Sequence, residues 1–219
     1  MTAASFTPDE LAAGEALFRR PWHFLKSVPE LAGLPGAERP EICFAGRSNV
    51  GKSSLINKLV GRTLARTSNT PGRTQELNFY AAPGAALFLV DLPGYGFAEA
   101  PKARVAAWTR LMRDYLRGRA RLVRAFLLID VRRGLTPPDL EIMRRLDAAA
   151  VSYQGVLTKI DKVKPTQLTR VVAATEAALR RHPAAAAGIF ATSAATGAGL
   201  AELKAQIAAL AAASGAGIT

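Results

Sequence analysis

From residue 42 onward, short apolar runs alternate with longer segments in which apolar residues recur at helical spacing. The runs that predict strands are 42–45, 77–81, 86–90, 123–129, 151–157 and 188–191. The segments that predict helices are 52–60, 102–118, 137–149, 165–182 and 199–213. Strands separated by helices of this length are typical of a mainly parallel sheet with helices on both faces. We therefore predict an α/β fold with a six-stranded sheet.

Two features depart from this regular alternation. Only four residues, 82–85, separate the second and third apolar runs, which predicts an antiparallel hairpin at one edge of the sheet. Residues 1–40 show helical spacing over 10–18 and are then broken repeatedly by prolines. We predict an N-terminal extension at 1–40, the α/β domain at 41–213 and a flexible tail at 214–219.

The strongest chemical signal follows the first predicted strand of the domain. It consists of Gly46, Arg47, Ser48, Asn49, Val50, Gly51, Lys52 and Ser53. This segment fits the phosphate-loop pattern G-x-x-x-x-G-K-[ST], and it lies between a predicted strand and a predicted helix as that pattern requires. Backbone N–H groups of such a loop hold anionic phosphates. We expect Lys52 to reach the β- and γ-phosphates and Ser53 to bind Mg²⁺.

A second motif closes the strand at 86–90. Its residues are Asp91, Leu92, Pro93 and Gly94. An acidic residue at the end of a strand beside a phosphate loop is suited to contact Mg²⁺, usually through water. The Gly94 N–H is then in a position to sense the γ-phosphate.

Two further segments predict which base is bound. The first comprises Thr158, Lys159, Ile160 and Asp161, and the second Thr192, Ser193 and Ala194. A carboxylate at Asp161 can accept hydrogen bonds from N1 and the 2-amino group of guanine, and adenine offers neither donor. Lys159 is expected to lie across the base, and a backbone N–H of the second segment to donate to guanine O6. Four motifs in this order, each at a strand end, predict a GTP site.

These motifs resemble those of the EngB family of bacterial GTP-binding proteins. The resemblance runs over about residues 20–210 and is carried by 46–54, 70–80, 91–97 and 130–139. It implies a Ras-like GTPase fold of the translation-factor type, with GTP and GDP as ligands. It also implies a role in large ribosomal subunit assembly and in normal cell division and septation.

The resemblance also assigns roles to further residues. It implies a switch I contact at Gly72, Arg73, Thr74, Gln75 and Glu76. Thr74 is expected to be the second Mg²⁺ ligand, with Thr70 as the alternative. The residues expected to act in hydrolysis are Lys52, Thr74, Gly94 and Asn49.

The residues at three motif positions modify these expectations. Tyr95 stands where many GTPases have the glutamine that orients the attacking water, so intrinsic hydrolysis is expected to be slow. Thr158 stands in the place of an asparagine and offers fewer hydrogen bonds for tying the base loop to the phosphate loop. Asn49 either helps to hold K⁺ or only shapes the loop, and the sequence leaves both readings open.

Composition and charge indicate the partner. The formal net charge is +12, which favours a polyanionic partner such as RNA, DNA or an anionic membrane surface. The segment 102–124 has eight basic residues against one acid, Asp114. Together with this charge, the family resemblance implies that the patch, Lys102–Arg124, binds rRNA of the large ribosomal subunit or its precursor, although a solvated helix face is the alternative.

The remaining expectations concern the compartment and the rival functions. A lone Cys43 and the absence of an apolar leader indicate a cytoplasmic protein that does not enter a membrane. Separately, we expect the protein to be a monomer. A septum-associated scaffold that binds nucleotide is one alternative function. A P-loop kinase or ATPase acting on a small molecule is another, although the guanine motifs argue against it.

Overall fold

The structure is a computed structural model that describes residues 5–65, 76–96 and 102–215. The N-terminal part forms α1 (Pro8–Phe18), β1 (His23–Val28), β2 (Glu41–Gly46) and α2 (Lys52–Val60). The middle part forms β3 (Leu77–Ala81), β4 (Phe88–Asp91), α3 (Lys102–Gly118) and β5 (Leu122–Asp130). The last part forms α4 (Pro137–Ala148), β6 (Tyr153–Thr158), α5 (Pro165–Leu179), β7 (Ala185–Ala191) and α6 (Leu200–Gly215).

Every strand and helix predicted from residue 42 onward is present. Their ends lie within three residues of the predicted ones. The agreement has a local cause, because helix boundaries carry explicit signals. At α4, for example, Thr136 and Asp139 form a capping box and Pro137 occupies the first turn.

The sheet has seven strands in the order β1-β3-β4-β2-β5-β6-β7, so the predicted number of six is wrong. β3 runs antiparallel to both of its neighbours, and the other neighbouring pairs are parallel. The predicted hairpin of β3 and β4 is confirmed, but β1 and not this hairpin occupies the edge. The sequence analysis did not predict β1, because this segment shows no apolar alternation and its exposed residues include Phe24 and Leu25.

Helices cover both faces of the sheet, as predicted. Buried residues of α3, α4 and α5 pack on one face, and those of α1, α2 and α6 pack on the other. Successive residues of β2 alternate between the two layers, with Cys43 in the first and Phe44 in the second. Burial also raises the pKa of the Cys43 thiol far above its ordinary value, in keeping with an unreactive core residue.

The N-terminal helix α1 is docked tightly on α6. A Cβ atom placed on Gly14 would lie 2.5 Å from the Ala205 backbone nitrogen, so the two helices touch through backbone at this point. Beside it, Lys204 Nζ is 3.0 Å from Glu15 Oε1. Residues 8–18 therefore belong to the packed body of the protein. Within the described ranges, no helix is both long and apolar enough to cross a bilayer.

Candidate nucleotide-binding site

The predicted motifs meet at one edge of the sheet. The phosphate loop follows β2, the Asp91 motif follows β4, and the two base motifs follow β6 and β7. Parallel strands of such a sheet bring their carboxyl ends to one edge, where ligands of α/β proteins bind. The topology alone thus collects segments that are more than a hundred residues apart in the chain.

The phosphate loop owes its shape to its backbone conformations. Gly51 has φ +103°, a left-handed conformation that favours glycine, and α2 begins at the next residue. Gly46 is also required, because a Cβ there would lie 2.8 Å from Val50 Cγ1. The loop therefore delivers the N-terminus of α2, with its open N–H groups, to the ligand.

Lys52 and Asp91 form an ion pair at the base of this loop. Both side chains are largely buried. Burial raises the pKa of Asp91 above its ordinary value, and the ammonium group of Lys52 opposes that shift. The Asp91 carboxylate and the Ser53 hydroxyl are oxygen donors of the kind that Mg²⁺ prefers. Among the described residues there is no cluster of three acidic, histidine or cysteine side chains that could hold a metal.

The first base motif is bonded directly to the phosphate loop. Thr158 Oγ1 donates a buried hydrogen bond of 2.7 Å to the Val50 carbonyl oxygen. Lys159 Nζ donates to the Asn49 carbonyl oxygen at 2.6 Å, and its stem passes close to Gly51. The weaker tie expected from a threonine at position 158 is thus supplemented by Lys159.

Asp130 holds Lys159 in this place, a role that the sequence analysis missed. Its Oδ2 lies 2.9 Å from Lys159 Nζ, and its two oxygens also accept from Arg132. Burial raises the pKa of Asp130, but the bonds from Arg132 and Lys159 outweigh it and hold that pKa well below its usual range. The signal was available, because Asp130 ends β5 within one of the segments that carry the family resemblance.

The second base motif supports Asp161. Ser193 Oγ donates to Asp161 Oδ1 at 2.6 Å, and this bond is the main cause of a lowered pKa at Asp161. The Ser193 N–H donates to the Ala198 carbonyl oxygen at 3.0 Å. Among the three predicted residues, Ala194 is therefore the better candidate for donating to guanine O6.

The two base motifs and one end of the phosphate loop line a common cleft of about 700 Å³. Its walls include Gly51 of the phosphate loop, Thr158, Lys159 and Asp161 of the first base motif, and Ala194 of the second. The end of α2 also contributes residues that the sequence analysis did not foresee: Asn57, Lys58, Arg62 and Thr63. The cleft joins the phosphate-binding and base-binding groups as a nucleotide requires.

Switch I lies mostly outside the described residues. Thr70, Gly72, Arg73, Thr74 and Gln75 are not described, so their assignments stay predictions, and Glu76 directly precedes β3. Gly94 packs against the phosphate loop, where a Cβ on it would lie 3.1 Å from the Ser48 nitrogen. Asn49 has φ +60°, a left-handed conformation that asparagine tolerates better than most residues.

Comparisons with known sequences agree with this geometry. Residues 41–159 match a protein family described as "50S ribosome-binding GTPase". A probable GTP-binding protein EngB of Bradyrhizobium diazoefficiens is 56% identical over 202 residues, which cover 91% of this chain and 93% of that protein. A protein of the same description from Brucella suis is 55% identical over 206 residues, covering 90% and 86%.

Solved structures share the fold. A crystal structure of a probable GTP-binding protein engB superposes with a TM-score of 0.63 and 25% identity, covering 79% of this chain and 99% of that one. Era in complex with MgGDPNP and a segment of 16S ribosomal RNA gives a TM-score of 0.64 and 25% identity, covering 79% and 57%. A Ras-like GTPase fold is thereby confirmed.

Proposed function

Since this chain belongs to the EngB family of GTP-binding proteins, a family of GTPases, we propose that its GTP hydrolysis serves as a switch in assembly of the large ribosomal subunit. The observation that carries the proposal is the match of residues 41–159 to a family described as a 50S ribosome-binding GTPase. We further propose that the protein is a cytoplasmic monomer and that it is needed for normal cell division and septation.

The residues of the site support a switch mechanism. The N–H groups of the phosphate loop and Lys52 bind the phosphates, while Lys159 and Asp161 bind the base. The Gly94 N–H, packed beside Ser48, contacts the γ-phosphate only when GTP is bound. Loss of that contact after hydrolysis releases the segment that begins at Gly96.

Cations complete the site in this proposal. Mg²⁺ would neutralise charge on the β- and γ-phosphate oxygens when bound. Ser53 and Thr74 would be its protein ligands, with Asp91 acting through water. The solved structure of Era, which contains MgGDPNP, supports a magnesium ion in this fold. K⁺ near Asn49 is a further proposal.

Tyr95 supports slow intrinsic hydrolysis. It occupies the place of the water-orienting glutamine, but its side chain is only 4% exposed. Its hydroxyl is bonded to Asp139, so it does not orient a water at the phosphates. The proposal therefore leaves the rate to be set by the ribosomal particle.

We place the contact with ribosomal RNA on the exposed face of α3. Arg110, Arg113 and Arg117 lie on that face with helical spacing, and all three are exposed. The only acidic neighbour on this helix is Asp114, which lies 3.0 Å from Arg113 Nε. The excess of positive charge suits the phosphates of RNA.

The predicted patch as a whole was too wide. Arg119 forms a buried ion pair with Glu41. The Glu41 carboxylate also accepts a hydrogen bond of 2.9 Å from the Tyr115 hydroxyl. Arg121 and Arg124 are each about half-buried, the first bonded to the Ala37 carbonyl and the second to Gln154. The prediction that Arg119 belongs to the binding face is wrong, because its guanidinium neutralises a buried carboxylate inside the fold.

Co-sedimentation with ribosomal subunits tests this proposal. Reversing Arg110, Arg113 and Arg117 to Glu should abolish GTP-dependent binding to the large subunit and flatten its salt dependence. A matched control reverses three exposed arginines near α5: Arg170, Arg180 and Arg181. Both variants change the net charge equally. If the contact depends on the α3 face and not on net charge, the control should retain binding.

Two outcomes would reject the proposal. If the α3 variant and the control lose binding to the same extent, the contact depends on net charge and not on the α3 face. If wild-type protein ignores ribosomal subunits but captures cell-division proteins, the septum-associated scaffold is the better function.

A further inference from the structure

The hydroxyl of Tyr95 is bonded to a helix far away in the chain. Tyr95 Oη donates a buried hydrogen bond of 2.8 Å to Asp139 Oδ1. Asp139 is the first-turn residue of α4 that caps the helix, and only 2% of it is exposed. Burial, and then the Asp139 carboxylate, raise the pKa of the Tyr95 phenol well above its ordinary value, so this phenol remains a donor.

The second oxygen of Asp139 is fixed as well. Oδ2 accepts from the Thr136 backbone nitrogen at 2.9 Å and from the Thr136 hydroxyl at 2.5 Å. The carboxylate is thus anchored at the start of α4 and has one oxygen left for Tyr95. The stretch 130–139 begins with Asp130, which bonds Lys159, and ends with Asp139, which holds the chain directly after Gly94.

The backbone of Tyr95 is held to the phosphate loop. Its carbonyl oxygen accepts from the Ser48 N–H at 3.0 Å, and its N–H donates to the Gly46 carbonyl oxygen at 3.3 Å. Gly96, the next residue, has φ +81° and is exposed. Tyr95 is therefore anchored through both its backbone and its side chain, whereas the next residue, Gly96, is exposed.

We propose that Asp139 is a positioning residue for the GTPase reaction, because its bond to Tyr95 keeps the Gly94 N–H beside the phosphate loop. In this arrangement Tyr95 is the fixed end of switch II, and nucleotide-dependent movement begins at Gly96. The tyrosine that replaces the water-orienting glutamine thereby serves to hold the γ-phosphate sensor in place.

Gly94 directly precedes Tyr95, so the orientation of its peptide N–H depends on where Tyr95 is held. A hydrogen bond to the buried Asp139 carboxylate is stronger than one to a neutral group, and it restricts Tyr95 to one position. The proposal rests on the GTPase activity alone, so failure of the ribosomal proposal would leave it intact.

The test compares Tyr95→Phe with Thr136→Val. The first variant removes the bond to Asp139 and keeps the cap of α4. The second removes the Thr136 hydroxyl from the cap and keeps the bond to Tyr95. Affinities for GDP and for a non-hydrolysable GTP analogue are measured by titration, and hydrogen exchange of residues 92–95 is followed in both complexes.

We expect Tyr95→Phe to weaken analogue binding roughly fivefold to tenfold more than GDP binding, the size of a typical coupling between two sites. Exchange at 92–95 should become faster in the analogue complex. Thr136→Val should lower the thermal midpoint but leave the ratio of the two affinities unchanged. Asp139→Asn, whose amide can still bond the Tyr95 hydroxyl, should fall between Tyr95→Phe and wild type.

Two results would overturn the proposal. If Tyr95→Phe keeps the wild-type ratio of analogue to GDP affinity and the wild-type hydrogen exchange at 92–95, the bond to Asp139 contributes only to packing of the core. An equal change of the ratio in Thr136→Val would show that stability of α4, and not the Tyr95 bond, controls the sensor.

Discussion

The Thr158 hydroxyl donates a 2.7 Å hydrogen bond to the carbonyl oxygen of Val50, although 108 residues separate them in the chain. This bond fastens the base-binding loop to the phosphate loop. Both ends of a bound nucleotide are therefore held by one rigid unit.

Removing the Thr158 hydroxyl should weaken the binding of GDP and GTP to the same extent. Thr158→Val leaves the buried Val50 carbonyl without its donor, a loss of about 1–3 kcal/mol. Titration with fluorescent GDP and GTP analogues measures both affinities. Thr175→Val is the matched control, because Thr175 makes a similar 2.7 Å bond to Val171 in α5, away from the cleft. An unchanged affinity in Thr158→Val would show that the tie is dispensable.

The base preference should change with Asp161. Asp161→Asn replaces an acceptor by a donor opposite the guanine 2-amino group, so affinity should move from guanosine to xanthosine nucleotides. A site built around a hydrogen bond rejects the unmatched base strongly, by on the order of 10⁴-fold at best. Competition between GDP and xanthosine diphosphate measures the change. Equal binding of ATP and GTP by the wild-type protein would contradict the assignment.

Substitution of Asn49 should separate the two roles left open for it. If its side chain helps to hold K⁺, wild-type hydrolysis should be faster in K⁺ than in Na⁺, and Asn49→Gly should lose the difference. Glycine keeps the φ of +60° without strain, whereas alanine there costs about 1–2 kcal/mol. Nucleotide affinity should therefore fall in Asn49→Ala and not in Asn49→Gly. Identical wild-type rates in the two salts would leave only the role in loop shape.

The contribution of Asp130 to stability should depend on pH in a defined direction. Its pKa lies below the ordinary value, so the ionised form stabilises the fold, and this contribution is complete above the unfolded-state pKa of about 4. As the pH falls below that value and through the folded-state pKa, the contribution is lost. The difference in thermal midpoint between wild type and Asp130→Asn should be constant from about pH 5 to 8 and shrink below about 4. A difference that already shrinks near neutral pH would contradict a lowered pKa.

Gly14→Ala should destabilise the protein although alanine favours helices. In an open helical position this change gains about 1 kcal/mol. At Gly14 the new Cβ would meet the backbone of α6, so α1 must shift away. Gly118, near the end of α3, has no atom within 4 Å of its Cβ position, so Gly118→Ala is the control. Thermal unfolding should show a lower midpoint for the first variant only, and a gain in both would disprove the tight crossing.

Local patterns in the sequence were enough to predict most of the helices and strands and all four nucleotide motifs. Hydrophobic periodicity, the capping residues and the spacing of the phosphate loop each act over a few residues. The order of strands and helices then placed the motifs at one edge of the sheet. For the same reason, Lys52, Asp91 and Thr158 could be assigned to the site before their distances were known.

Other features depend on contacts between distant parts of the chain, and only the tertiary structure decided them. β1 is a strand because β3 offers it a free edge, not because its own sequence alternates. Arg119, just beyond α3, points inward because Glu41 is buried beside it, whereas Arg113, within α3, faces solvent. Tyr95 meets Asp139 across 44 residues. Such pairs form where packing brings two groups together and burial makes an unpaired charge or hydroxyl costly, and no local pattern encodes which partner that will be.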